Sequence, residues 1–231
     1  MPQPALHLAP PPALPIVGRA EVFPVGRIIC IGRNYAEHAV EMGHDPTREP
    51  PFFFFKSASC LCTDSAVPYP PQTSDLHYEV EMVVALASGG RDIAVDAAED
   101  LIFGYGVGLD LTRRDLQAEA KKLGRPWEMG KAFDCSAPVG PITPVEACGH
   151  KRNGTITLSV NDKVRQHGDL DQMIWSVPEM LSVLSHSFAL RAGDLIMTGT
   201  PSGVGRLDIG DTVSAHVDGL AELHITIVAG D

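Results

Sequence analysis

Two glutamates one residue apart, Glu79 and Glu81, sit inside the run Asp75 to Leu86, DLHYEVEMVVAL. The second half of that run is apolar and β-branched, and Pro and Ser residues precede it, which reads as a strand. Side chains alternate along a strand, so His77, Glu79 and Glu81 share one face while Tyr78, Val80 and Met82 take the other. Two carboxylates carried into an apolar segment repel each other and lose hydration, and a cation held between them removes both penalties. A hard divalent cation prefers such oxygen ligands. The plainer reading is an exposed sheet face with two solvated glutamates. A third carboxylate, Asp110, ends the glycine-interrupted strand Leu101 to Leu111, LIFGYGVGLDL, and brings the set to a ligand count that leaves room for water and substrate.

Other chemistry-bearing residues recur at the ends of elements. Lys56 closes the Phe52–Lys56 strand, which reads as buried, and Lys131 lies in apolar company in WEMGKAF. Arg114 and Gln117, three apart on the helix that follows Asp110, share a face. So do His38 and Glu41, on a short helix that Asn34 would cap, with Glu37 at the third position and Gly43 closing it. His77 shares the glutamate face, but a supporting role suits it better than a ligand's. The loop Thr198 to Gly205 is glycine-rich yet lacks the Gly-Lys-Ser/Thr ending of a phosphate loop.

These residues need a scaffold of many short strands. Strands are expected at Arg27–Gly32, Phe52–Lys56, 155–160, Asp194–Thr198, 212–218 and 221–228. Asn161-Asp162 would turn a hairpin. A short helix is expected at Ala94–Glu99, a longer one opened by the Thr112 hydroxyl and ended by Gly124, and another capped by Ser176 and running to about Leu190. No βαβ rhythm appears, so the class is α+β and mainly β, a barrel or roll flanked by short helices. Residues 1–20 are rich in Pro and Ala and read as an extended arm, mobile or lying on a neighbour; residues 21–231 read as one domain.

Composition narrows the partners. A net charge of −11 over 231 residues argues against nucleic acid and anionic membrane surfaces. Five cysteines without a regular framework suit a reducing compartment. No apolar run approaches the roughly 20 residues of a membrane span, and no export signal is visible, so a cytoplasmic protein is expected.

In order along the chain, GRNYAEHAVEMG, HYEVEMVVAL, GYGVGLDLTRRDLQ, GKAFDCSAPVGP, LSVNDKVRQ and DLIMTGTPSGVG resemble the fumarylacetoacetate hydrolase family. The resemblance runs from about residue 25 to the C-terminus. Its nearest subgroup is the short acylpyruvate hydrolases, and REPPFFFFK and GRPWEMGKAFD are most similar to the fumarylpyruvate hydrolases of aromatic (gentisate) catabolism. One departure is Lys56-Ser57, where members often carry Lys-Pro. The resemblance implies a β-roll core, a homodimer, and Mg²⁺ or Mn²⁺ held by Glu79, Glu81 and Asp110. It implies an acid–base pair in His38 and Glu41 on a lid helix and puts Lys131 where members hold the substrate's carboxylate and oxo groups, a place from which it would stabilise the oxyanion of a tetrahedral adduct. It places Arg33, Tyr35, Arg114, Gln117 and Thr200 around a small anionic diketo acid. The implied reaction is hydrolysis of the C–C bond of an acylpyruvate, foremost fumarylpyruvate to fumarate and pyruvate. The alternatives are an oxaloacetate-type decarboxylase, a 2-hydroxyhepta-2,4-diene-1,7-dioate isomerase/decarboxylase, and a non-catalytic metal-binding relative.

Overall fold

The fold is organised by one strand that is dry on both faces. In the computed structural model, which describes residues 10–42 and 49–230, every residue of Val80–Leu86 is buried. That explains the apolar run Met82–Leu86, since a strand covered on both faces has no solvent side to show, and it leaves Glu81 as the one charged residue carried inside. It pairs antiparallel with Ile102–Leu109 on one side and with Asp194–Met197 on the other. The six-stranded sheet so built runs Thr143–Pro144, Ile102–Leu109, Val80–Leu86, Asp194–Met197, Arg27–Gly32, Phe52–Lys56. A five-stranded sheet runs Lys163–Asp169, Thr155–Val160, Thr212–Val217, Leu223–Val228, Ala66–Pro68.

Alternation along the central strand divides the core. Val80, Met82, Val84 and Leu86 pack with Ile156, Leu158, Val213 and Ile225 of the second sheet and with Met180, Leu181 and Leu184 of the Val177–Ser187 helix. Val83 and Ala85 pack on the other side with Ile28, Cys30, Leu195 and Met197. The glycines of GYGVGLDL serve close approach: a Cβ on Gly104 would lie 2.3 Å from the Thr143 carbonyl oxygen. The segment that crosses there needs that room.

Most of the expected elements form. The 155–160 hairpin turns through Asn161 and Asp162 at φ 51 and 60, the left-handed pair such a two-residue turn requires. Ser176 and Glu179 make a capping box on Val177–Ser187, and Gly124 closes Arg114–Leu123 at φ 61. The molecule is mainly β with short helices, and Val95–Leu101 is a 3₁₀ helix. Among the described residues no helix is long and apolar enough to cross a membrane.

Four expectations give way to tertiary contacts. The N-terminal arm is not free from Ala13 onward: Ala13–Pro15 pairs with Val22–Pro24, and Leu14 and Ile16 are buried in the second core cluster. Phe52–Lys56 is an edge strand rather than a buried one, with Phe52 and Phe55 each 41% exposed. Asn34 does not cap the short helix, which runs Ala36–Glu41 with Tyr35 at its N-cap and no side-chain cap. Thr112 does not cap the next helix either: it forms a short strand with Arg113, and the helix begins at Arg114. Gly43 and His44 lie outside the described residues.

Candidate active site

Glu79 falls between the Leu76–Tyr78 and Val80–Leu86 strands, and Glu81 lies inside the second. Asp110 follows Ile102–Leu109, whose antiparallel register sets Leu109 opposite Val80. The register therefore carries Asp110 to the two glutamates, and its N–H donates to the Glu79 carbonyl at 2.9 Å. One carboxylate oxygen from each of the three lies within 4.8 Å of the others, and all three residues are buried. The solvated sheet face is thereby excluded.

Three buried or half-buried cations answer these carboxylates unequally. Lys131 Nζ donates to Glu79 Oε2 at 2.8 Å, Asp110 Oδ2 at 2.6 Å and Thr112 Oγ1 at 2.7 Å. Arg114 Nη2 donates to Glu79 Oε1 at 2.6 Å, and Nη1 to Gln117 Oε1 at 2.8 Å. Lys56, 1% exposed, sits behind the cluster rather than at its rim. Its ammonium donates to the carbonyls of Leu111, Lys131 and Ser136. With its protons spent there, it lies 2.9 Å from Asp110 Oδ1 as a charge only, and that oxygen has no hydrogen-bond partner.

Glu81 is the uncompensated member. It accepts a 2.6 Å bond from the Gly199 N–H. Burial, then the Asp110 and Glu79 charges, push its carboxyl well above the ordinary range. Burial would also raise Glu79, but Lys131 and Arg114 outweigh it and hold that carboxyl far below. Burial works against the Lys131 ammonium, yet Asp110 and Glu79 win and raise its pKa. An all-oxygen triad with one repelled carboxylate and one unbonded oxygen suits a hard divalent cation.

The remaining expected residues divide. His38, 7% exposed, lines the same cavity as the triad, and its Nδ1 lies 3.2 Å from Glu41 Oε2. Glu41 accepts from the Gly203 N–H and Glu37 from Ser202 Oγ, so the short helix is docked on the 198–205 loop. Arg33, Arg114, Gln117, Lys131 and Thr200 all line the cavity. Tyr35 does not: it is buried beside Ala36, Gln172 and Pro201 in a separate pocket, and its hydroxyl has no hydrogen-bond partner. His77 supports from outside, with Nε2 2.9 Å from Asp75 and Nδ1 accepting from Arg114 Nε at 3.4 Å.

Two positioning residues were invisible as such in the sequence. Fully buried Gln166 accepts from the Val80 N–H at 3.0 Å and donates to Thr200 Oγ1 and the Pro201 carbonyl, each at 2.8 Å. It pins the loop bearing Thr200 to the strand bearing the glutamates. Asn34 donates to the Thr198 and Trp175 carbonyls and accepts from the Trp175 N–H, tying the segment that leads into the Ala36–Glu41 helix to the same loop. Gln166 does end the quoted motif LSVNDKVRQ, the one signal that marked it. Phe54, Lys121 and Trp127 also line the cavity.

Residues 27–228 match the family described as fumarylacetoacetate (FAA) hydrolase, C-terminal. The chain belongs to the fumarylacetoacetate hydrolase family. Among solved structures of that family, it is similar to the fumarylpyruvate hydrolase from Pseudomonas aeruginosa in complex with Mn²⁺ and pyruvate. Identity is 49% and TM-score 0.96, over 99% of this chain and 100% of that one. The fumarylpyruvate hydrolase of Ralstonia sp. is 42% identical over 184 residues, 79% of this chain and 95% of that protein. An oxaloacetate tautomerase of Escherichia coli (strain K12) is 40% identical over 199 residues, 85% of this chain and 90% of that protein. The family's members are thus enzymes of more than one reaction on small oxo acids, built on one fold.

Proposed function

We propose that the chain is a divalent-metal-dependent hydrolase that cleaves the C–C bond of an acylpyruvate, with fumarylpyruvate giving fumarate and pyruvate. The observation that carries this reading is that His38, held at Nδ1 by Glu41, lines the same cavity as the buried carboxylate triad. A general base beside a metal site fits hydrolysis better than metal binding alone. Support also comes from the Pseudomonas aeruginosa relative, whose structure holds Mn²⁺ and pyruvate.

Glu79, Glu81 and Asp110 would hold Mg²⁺ or Mn²⁺. When bound, the ion supplies a Lewis acid that draws the substrate's carboxylate and adjacent oxo group together and stabilises charge on the departing three-carbon fragment. The three carboxylates are already matched in number by Lys56, Arg114 and Lys131. A divalent ion therefore leaves the loaded site positive, as an anionic diketo acid requires. Gln117 and Arg114 on one helix face, and Thr200 in the same cavity, orient its polar groups. His38 takes a proton from the attacking water while Glu41, at Nδ1, orients the ring. As water's oxygen bonds to the distal carbonyl carbon, Lys131 donates to the resulting oxyanion, exchanging its bond to neutral Thr112. Such a donor contributes roughly 3–4 kcal/mol. The C–C bond then breaks, its electron pair stays with the three-carbon fragment, and the methylene carbon takes up a proton.

The test is a spectrophotometric assay on EDTA-stripped protein reloaded with Mg²⁺ or Mn²⁺. It follows the enol absorbance of fumarylpyruvate, maleylpyruvate, acetylpyruvate and oxaloacetate, with products identified. Metal-dependent release of fumarate and pyruvate is the expected result. The Escherichia coli relative favours a second reading, oxaloacetate tautomerisation at the same site. Turnover of oxaloacetate alone would replace hydrolysis with it.

A further inference from the structure

We propose that Lys121, with Arg33, seats a second carboxylate at the far end of the acyl group, so that the cavity selects dicarboxylic acylpyruvates over simple ones. This deepens the acylpyruvate reading and rests on it.

Lys121 belongs to the site by helix geometry. Arg114, Gln117 and Lys121 are spaced i, i+3, i+7 on the Arg114–Leu123 helix, hence on one face, and all three line the cavity. The plainer role for a lysine in a last helical turn is to complement the helix dipole. Its neighbour Lys122 is exposed and free to do that, whereas Lys121 is half-buried with its ammonium 4.9 Å from the Trp127 ring.

Charge pairing separates an inner from an outer set of cations. Lys131, Arg114 and Lys56 are committed to Glu79 and Asp110. Arg33 and Lys121 also line the cavity, but among the described residues neither has a carboxylate partner. Each instead lies over a ring, Arg33 at 5.9 Å from Phe52. Burial, then the positive charges of Arg114 and Arg33, lower the Lys121 pKa. Arg33 also adopts φ 59, a left-handed conformation that costs a side-chain-bearing residue energy. Two cations held near each other without an anion carry a penalty that an incoming carboxylate removes.

Between the two sets lies an aromatic wall. Phe54 and Trp127 line the cavity at 5.9 Å between ring centroids, and Phe52 meets Trp127 edge-on at 4.9 Å. A flat, unsaturated acyl chain suits that surface, with one end at the carboxylate triad and its own carboxylate at the outer cations.

The test compares fumarylpyruvate with acetylpyruvate, which lacks the second carboxylate, in wild type, Lys121→Met and Lys121→Arg. Loss of one charged hydrogen bond should cut the kcat/KM preference for fumarylpyruvate about tenfold or more in Lys121→Met, mostly through KM. Lys121→Arg should keep most of the preference. A preference unchanged in Lys121→Met, or an equal loss on both substrates, overturns the proposal. Calorimetry of fumarate against crotonate on the Mn²⁺-loaded protein is independent of turnover. Fumarate should bind more tightly in wild type and lose that advantage in Lys121→Met; equal binding in wild type overturns the seat. If wild type hydrolyses no acylpyruvate, the reading of the reaction fails, while calorimetry still decides the seat.

Discussion

Glu81 and His38 lie in one cavity but should fail in different ways. Glu81 has no cation bonded to it and gains most from a bound ion, so Glu81→Ala should weaken Mn²⁺ binding at least tenfold by calorimetry. His38 touches Glu41 rather than the triad, so His38→Gln should lower kcat by about 10²–10⁴ while leaving Mn²⁺ affinity nearly intact. Full kcat in His38→Gln would remove the general-base role. Gln166 acts through others. Gln166→Leu strips three bonds and leaves the Val80 N–H unpaired in a dry interior, which should cost about 1–3 kcal/mol. Urea unfolding measures that loss, and a midpoint equal to wild type would mean that the three bonds of the buried amide add no net stability.

At the level of elements, the site depends on how closely the short Glu128–Lys131 helix lies against Arg114–Leu123. Gly130 makes that possible: a Cβ there would fall 2.9 Å from both the Cβ and the backbone nitrogen of Gln117. Gly130→Ala must push the two helices apart, moving Lys131 away from Glu79 and Asp110. Overpacking of this kind costs about 1–3 kcal/mol, and kcat should fall with stability. A Gly130→Ala protein as stable and active as wild type would show that the helices have slack. The Ala36–Glu41 helix is held differently, by Glu37 and Glu41 bonds to the Ser202–Gly203 backbone and hydroxyl and by Asn34 at its entrance.

Across the whole molecule, an acidic chain of net charge −11 gathers Arg33, Arg114, Lys121 and Lys131 around one cavity, where the proposed function seats an anion. The carboxylate triad joins strands of the central sheet to the start of the Arg114–Leu123 helix, so an ion there ties distant parts of the chain together. Binding only the folded state, Mn²⁺ at a hundredfold excess over Kd should add about 2.7 kcal/mol of stability. For a chain of this size that corresponds to a rise in Tm of roughly 5–10 °C, reversed by EDTA. Absence of a shift in wild type, with the same Tm in Glu81→Ala, would argue against a divalent ion at this place.

Local sequence determined what depends on near neighbours. The period of two put Glu79 and Glu81 on one face, Asn161-Asp162 turned the hairpin, and Ser176 with Glu179 opened its helix, because each needs only residues within a few positions. The family motifs named the triad, the His38–Glu41 pair and Lys131 together. What required the tertiary structure was every role set by a partner far along the chain. Asn34 has the chemistry of a helix cap, but the Thr198 and Trp175 carbonyls compete for its amide and win. Tyr35 adjoins Arg33 in sequence, yet it is buried in another pocket. The four phenylalanines read as buried until sheet order placed them at an edge. Lys121 and Lys122 are the same residue type side by side; only the rotation of the helix over Trp127 turned one toward the cavity and left the other in water.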